Sequence, residues 1–212
     1  MSAFSSAFLA LLLTLAPAAP AAPPKKDAPP PVRLVLQTEK GNIEVEVDEA
    51  RAPVTVRNFL TYVDGGFYDG GVFHRTVKPD NQPNNAVKIE VIQGGINPAR
   101  ESEARPPIPL ERTNATGLAH KDGTLSMARA GPDTAVSDFF ICIGDQPELD
   151  FGGKRNPDGQ GFAAFGRVVK GMDVVRAIQR APAQGQQLTP PVKLLKVTRR
   201  APERLPKDTR KP

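Results

Sequence analysis

Two side chains in this sequence are spaced to offer hydrogen-bond donors over an apolar floor. Arg75 closes Phe73-His74-Arg75, and Gln93 lies within Ile92-Gln93-Gly94-Gly95. A cation just after an aromatic, then a strand ending in Gln and a glycine pair, is an odd composition for a core element and reads as one wall of a groove. Val87, Ile89, Val91 and Gln93 fall on one strand face, and Lys88, Glu90 and Ile92 on the other. Downstream, Ser126 to Pro132 precedes a second alternating stretch. There Asp138, Phe140 and Cys142 share one side, and Phe139, Ile141 and Ile143 share the other. One side belongs to the core and the other to the groove.

Other chemistries find little support. Cys142 is the only cysteine, so no intramolecular disulfide forms, and in an apolar strand it reads as a small core residue. His74 and His120 are the only histidines. No His, Cys and carboxylate cluster has metal-ligand spacing and no phosphate loop is present, so no metal and no cofactor is expected. A Ser-His-Asp hydrolase can be assembled on paper from Ser126 or Ser137, but no nucleophile elbow accompanies them. Taken singly, Arg75 would be a solvated surface residue and Phe140 a core residue.

The blocks gain meaning together. Phe73-His74-Arg75, Gln93-Gly94-Gly95, Ser126-Met127-Ala128-Arg129-Ala130-Gly131-Pro132, Ser137-Asp138-Phe139-Phe140-Ile141 and Leu149-Asp150, in that order, resemble the cyclophilins, a peptidyl-prolyl isomerase family, across most of Val32 to Arg199. The resemblance implies a closed eight-stranded antiparallel β-barrel with two capping helices. It also implies catalysis of X-Pro isomerisation on unfolded or Pro-containing polypeptides, by Arg75, Gln93 and Phe140. Phe73, His74, Val91, Ala128, Arg129, Ala130, Asp138, Leu149 and Phe162 are then expected to contact substrate, with Ala128 and Ala130 as a backbone platform for the residue before proline. A binding module on the same fold, gripping Pro-containing segments without turnover, is the alternative.

The chain also departs from the family's pattern. Arg129 stands for the usual Asn, Asp138 for a Gln, Phe162 for a His, Glu90 for a Phe and Glu148 for the Trp of animal members. Glu90, Asp138 and Glu148 would thus set three carboxylates around a groove holding Arg75 and Arg129. With Arg129 paired to Asp138, the expected bias is negative, favouring Lys or Arg beside the substrate proline; the alternative is that these side chains point into water and leave selectivity unchanged.

These residues need a scaffold. Val32, Leu34 and Leu36, a turn at Glu39 to Asn42, then Ile43, Val45 and Val47 predict a hairpin with one buried face. Pro53 suits a first helical turn, and Val56, Phe59, Leu60 and Val63 recur at helical spacing before Gly65-Gly66. Met172 to Arg180 reads as a short helix, and Val192, Leu194, Leu195 and Val197 as the closing strand. Lys78 to Ala86 and Gly152 to Gly161 read as loops lengthened relative to the family, the first an inserted surface loop.

The ends differ from this domain. Residues 1–21 read as a secretory signal peptide, with an apolar run of about ten residues against the roughly twenty that span a bilayer. Residues 22–31 form a Pro/Ala-rich linker, 32–199 the cyclophilin-like domain and 200–212 a basic tail. Arg199 to Pro212 carries six Lys or Arg against two Asp or Glu, and Lys25, Lys26 and Asp27 add one more positive charge. The formal net charge of +5 therefore leaves about zero for the folded part. Nucleic acid is not an expected partner on that ground. A monomeric, periplasmic protein without a membrane segment after signal cleavage is the expectation, with secretion as the alternative.

Overall fold

The computed structural model describes residues 31–200. The expected signal peptide, the linker apart from Pro31 and the tail beyond Arg200 lie outside them.

β1 (Val32–Thr38) and β2 (Gly41–Val47) form the expected hairpin, with Leu34 opposite Val45 and Leu36 opposite Ile43, all fully buried. The turn is only Glu39 and Lys40, since Thr38 already pairs with Gly41. The remaining strands are β3 (Gly71–Val77), β4 (Val91–Gly95), β5 (Thr124–Met127), β6 (Phe139–Cys142), β7 (Ala164–Lys170), β8 (Ala183–Gln184) and β9 (Gln187–Arg199). Neighbours run β1-β2-β7-β5-β6-β4-β3-β9, every pairing is antiparallel, and β9 returns to β1. The result is a closed eight-stranded barrel; the two-residue β8 only folds back on the start of β9. Closure leaves no long free edge, which otherwise invites intermolecular pairing.

Two helices cover the barrel. α1 (Pro53–Asp64) buries Val56, Phe59, Leu60 and Val63, and Phe59 packs against Phe139 and Phe165 from the barrel wall. Its cap residue Ala52 offers no side-chain acceptor, so the carboxylate of Glu111 takes the N–H groups of Val54 and Thr55 at 3.1 and 2.8 Å. After the one-turn α2 (Thr113–Thr116), α3 (Met172–Gln179) buries Val175 and Ile178 and packs against β2, β3 and β4. The last strand is longer than its apolar alternation indicated, and Leu195 points outward at 51% exposure. Among the described residues no helix is long and apolar enough to cross a membrane.

The core has two parts. Phe139, Ile141 and Ile143 join the large cluster inside the barrel, whereas Phe140 and Cys142 join Val77, Ile89, Val91 and Leu149 in a small cluster on the outer side. The two faces of β6 thus separate as the period of two requires.

β3 breaks that rule at one point. Phe73 pairs with Gly94 and Arg75 pairs with Gln93, so His74 is the extra residue of a bulge. Without it Phe73 and Arg75 would share a face. With it Phe73 stays inside the barrel, fully buried against Phe139, and Arg75 turns outward beside Gln93.

Candidate active site

The groove opens on the outer side of β3, β4 and β6 and has a volume of about 450 Å³. It gathers Arg75, Val91, Gln93, Ala128, Arg129, Ala130, Asp138, Phe140, Leu149 and Phe162 from the residues expected at the site. Two expected residues are not part of its lining. Phe73 is a core side chain, and His74, at the bulge, stands off to the side with Nε2 3.6 Å from Asp138 Oδ2.

The floor is apolar and rigid. Phe140 and Phe162 meet edge to face at 5.3 Å and 90°, and Val91, Leu149 and Ile89 surround them. Ile89 precedes the strand, yet it supplies the apolar side chain here while its neighbour Glu90 turns away to accept a bond from Gln179 Nε2 at 2.9 Å. Glu148 also lies off the groove, accepting from the backbone N–H of Lys154 at 2.8 Å. Of the three carboxylates expected around the groove, only Asp138 lines it.

Behind the floor runs a polar line in which Ser126 and His120 are buried and Asp150 is half-buried. Asp150 Oδ1 lies 2.7 Å from His120 Nδ1, and His120 Nε2 lies 2.9 Å from Ser126 Oγ. Burial alone would raise the Asp150 carboxyl, but hydrogen bonds from the His120 ring and backbone N–H outweigh it and hold the group below its ordinary range. Although these are the residues of a hydrolase triad, Ser126 is fully buried and the His120 ring stacks on Phe140 at 6.0 Å and 16°. Phe140 therefore stands between this line and the groove, and its role there is to back the aromatic floor. Cys142 is likewise buried, and burial pushes its thiol far up, away from nucleophilic use.

Arg75 is the positioned cation. Its Nη1 donates to Gln93 Oε1 at 2.9 Å, while Nε and Nη2 donate to Gln186 Oε1 at 2.9 and 2.6 Å. A guanidinium carries five N–H groups. These three bonds leave one N–H on each Nη for a ligand, with the fork fixed in direction. Partial burial lowers the Arg75 pKa from its ordinary value. Gln93 passes the order on, its Nε2 donating to Asp138 Oδ2 at 3.2 Å.

Gln186 carries no signal in the sequence. It sits at the tip of the β8–β9 hairpin, which β3 holds through the Thr76 N–H donating to Gln186 O at 2.8 Å. The Lys78–Ala86 segment holds it too, and is not a free surface loop. Asn81 Nδ2 donates to Gly185 O at 3.0 Å, and Gln186 Nε2 donates to Asn81 O at 3.1 Å. The buried Gln82 side chain then ties the loop to Lys78 and Ile89.

Arg129 does not pair with Asp138. Its side chain is only 1% exposed, and its guanidinium donates to Asp158 at 2.7 and 2.9 Å and to Gly161 O at 2.8 and 2.6 Å, with Cζ 5.0 Å from the centre of the Phe162 ring. The hydrogen bonds from Arg129 hold the Asp158 carboxyl below its ordinary range. The Gly152–Gly161 loop is thereby clamped as the groove's second wall. Its Arg155 and Asn156 also line the groove, and neither stood out in the sequence.

A second depression of similar size lies over β2 and β7, but its charges are met locally by Arg51 with Asp48 and by Arg167 with Glu46. Among the described residues no group of three or more His, Cys, Asp or Glu is arranged to hold a metal.

The profile of the family described as cyclophilin type peptidyl-prolyl cis-trans isomerase/CLD matches residues 33–199. The chain belongs to this family. A peptidyl-prolyl cis-trans isomerase of Acinetobacter baylyi is 38% identical over 148 residues, covering 69% of this chain and 71% of the relative. Peptidyl-prolyl cis-trans isomerase B of Escherichia coli is 37% identical over 148 residues, covering 69% and 83%. Among solved structures, a cyclophilin type isomerase of Cryptosporidium parvum superposes with a TM-score of 0.66 at 20% identity, over 82% of this chain and 99% of that one. A second structure of it, obtained in the presence of the dipeptide Ala-Pro, gives 0.64 at 21% identity. The barrel of this cyclophilin is thus the fold those structures share.

Proposed function

We propose that this cyclophilin accelerates cis–trans exchange of X-Pro bonds in unfolded, Pro-containing polypeptides, as a monomer acting in the periplasm on exported chains. The amide barrier of about 18–20 kcal/mol comes from resonance that is lost as the bond twists. Lowering it calls for no nucleophile, acid or base. It calls for a socket that grips the ring and a donor that favours the twisted amide over the planar one.

The observation that carries this reading is the Arg75 fork, fixed by two amides beside an apolar aromatic socket, with an N–H on each Nη left to donate. In this reading Phe140, Phe162, Leu149, Val91 and Ile89 hold the proline ring. Arg75 holds the prolyl carbonyl and meets the imide nitrogen as it pyramidalises, and Gln93 keeps the guanidinium aimed. Ala128 and Ala130 offer backbone to the preceding residue. Preorganised donors of this kind act because they need no reorganisation as the charge shifts. The relative's structure with Ala-Pro is consistent with this substrate class.

Exchange measured by NMR on a Pro-containing peptide tests the proposal. Arg75→Ala is expected to lower kcat/KM by about 10²–10³ with an unchanged circular dichroism spectrum. Full activity in a folded Arg75→Ala protein overturns the assignment. Peptide binding by the wild type without turnover would favour a binding module instead.

A further inference from the structure

We infer that Arg155 makes this groove select acidic side chains close to the substrate proline. The inference rests on the isomerase reading of the groove and adds a substrate class to it.

Three arginines line the groove against a single carboxylate, that of Asp138. Arg129 is neutralised by Asp158 behind the wall. Arg75 and Arg155 form no ion pair among the described residues, and the charge of Arg75, after burial, helps to lower the Arg155 pKa. Two cations near enough to repel each other thus face the same half-buried space.

Arg155 is also held in place. Its Nη1 donates to Gln82 Oε1 at 2.9 Å and to Val87 O at 2.7 Å, bridging the two loops, while Nε and Nη2 make no hydrogen bond among the described residues. A guanidinium ordered through one nitrogen, with donors left over, is prepared for an anionic partner. Asp138 does not fill that place. It sits by the Gly94–Gly95 end of β4, bonded through Gln93, whereas Arg155 is anchored at Val87, before the other end of that strand. No hydrogen bond or ion pair joins Asp138 to Arg155 among the described residues. The groove is therefore positive at its Arg155 end, which reverses the bias expected from the sequence.

The test is a host peptide with one proline, carrying Glu, Gln or Lys in turn at each of the two positions on either side. Exchange is followed by NMR without a coupling protease, at low and high salt. At one or more positions Glu is expected to exceed Gln in kcat/KM by about fivefold at low salt and Lys to fall below Gln, with the difference shrinking as salt rises. Arg155→Gln should bring the Glu-to-Gln ratio to about one, and Arg155→Lys, which keeps the charge without the fork, should retain a preference. Equal values for Glu and Gln at every position, or a ratio unmoved by Arg155→Gln, overturns the inference. If the neutral peptide is not turned over at all, the isomerase reading fails by itself. Titration of the same peptides then decides the charge question, and equal affinity for Glu and Gln overturns it.

Discussion

Arg75 is aimed by amides from two distant parts of the chain, Gln93 on β4 and Gln186 on the β8–β9 tip. Gln186 takes two of the three bonds, so Gln186→Ala should leave the guanidinium present but poorly directed. Loss of a hydrogen bond to a charged group is worth about 1.5–3 kcal/mol, and we expect kcat/KM for a Pro peptide to fall by at least about tenfold with the fold intact. An unchanged rate would show that Gln93 alone suffices. Asp150 gives a residue-scale prediction of another kind. Because its folded carboxyl titrates below its ordinary range, the unfolded chain binds the proton more readily, and the group adds stability that is present above about pH 4. That contribution is lost as pH falls through the lower, folded value. Urea denaturation across an acid series should therefore show wild type losing stability below about pH 4 more steeply than Asp150→Asn, which has no proton to take up.

At the scale of elements, the groove's walls are strands on one side and clamped loops on the other. Arg129 anchors the Gly152–Gly161 loop through four contacts from a nearly inaccessible side chain. Arg129→Ala strands Gly161 O and Asp158 together, for a cost of about 2 kcal/mol. The expected fall in Tm is about 4–8 °C for a domain of this size, read by calorimetry, with faster amide exchange in the loop than in the barrel. If the variant melts like wild type, the loop is held by other contacts. The strand wall depends on the His74 bulge, since an unbroken β3 would bury Arg75 beside Phe73 in the barrel core.

For the whole molecule, antiparallel closure of β9 on β1 gives a barrel that needs no disulfide, which suits a chain with a single cysteine wherever it resides. Residence itself is a proposal from the leader at 1–21. Amino-terminal sequencing of protein from fractionated cells is expected to find a mature chain beginning near Ala19 or Ala22 in the periplasm, and an intact Met1 on cytoplasmic protein would count against export.

The alternation of β1, β2 and β6 and the helical spacing of Val56, Phe59, Leu60 and Val63 determined the hairpin, the helix and the two faces of β6, because which side chains share a face follows from the period of the backbone alone. The barrel and the groove's apolar floor followed from the resemblance carried by the order of the blocks around Arg75, Gln93 and Phe140. Only the tertiary structure decided the rest. The bulge that separates Phe73 from Arg75 is a matter of register between β3 and β4. Gln186 and Arg155 meet the groove across more than sixty residues of chain, from a hairpin tip and a loop without any periodicity. Arg129 took Asp158 and not Asp138 because a buried guanidinium goes to the carboxylate and carbonyl that can surround it. Charge sign in a groove depends on which side chains face it, and that is settled in three dimensions.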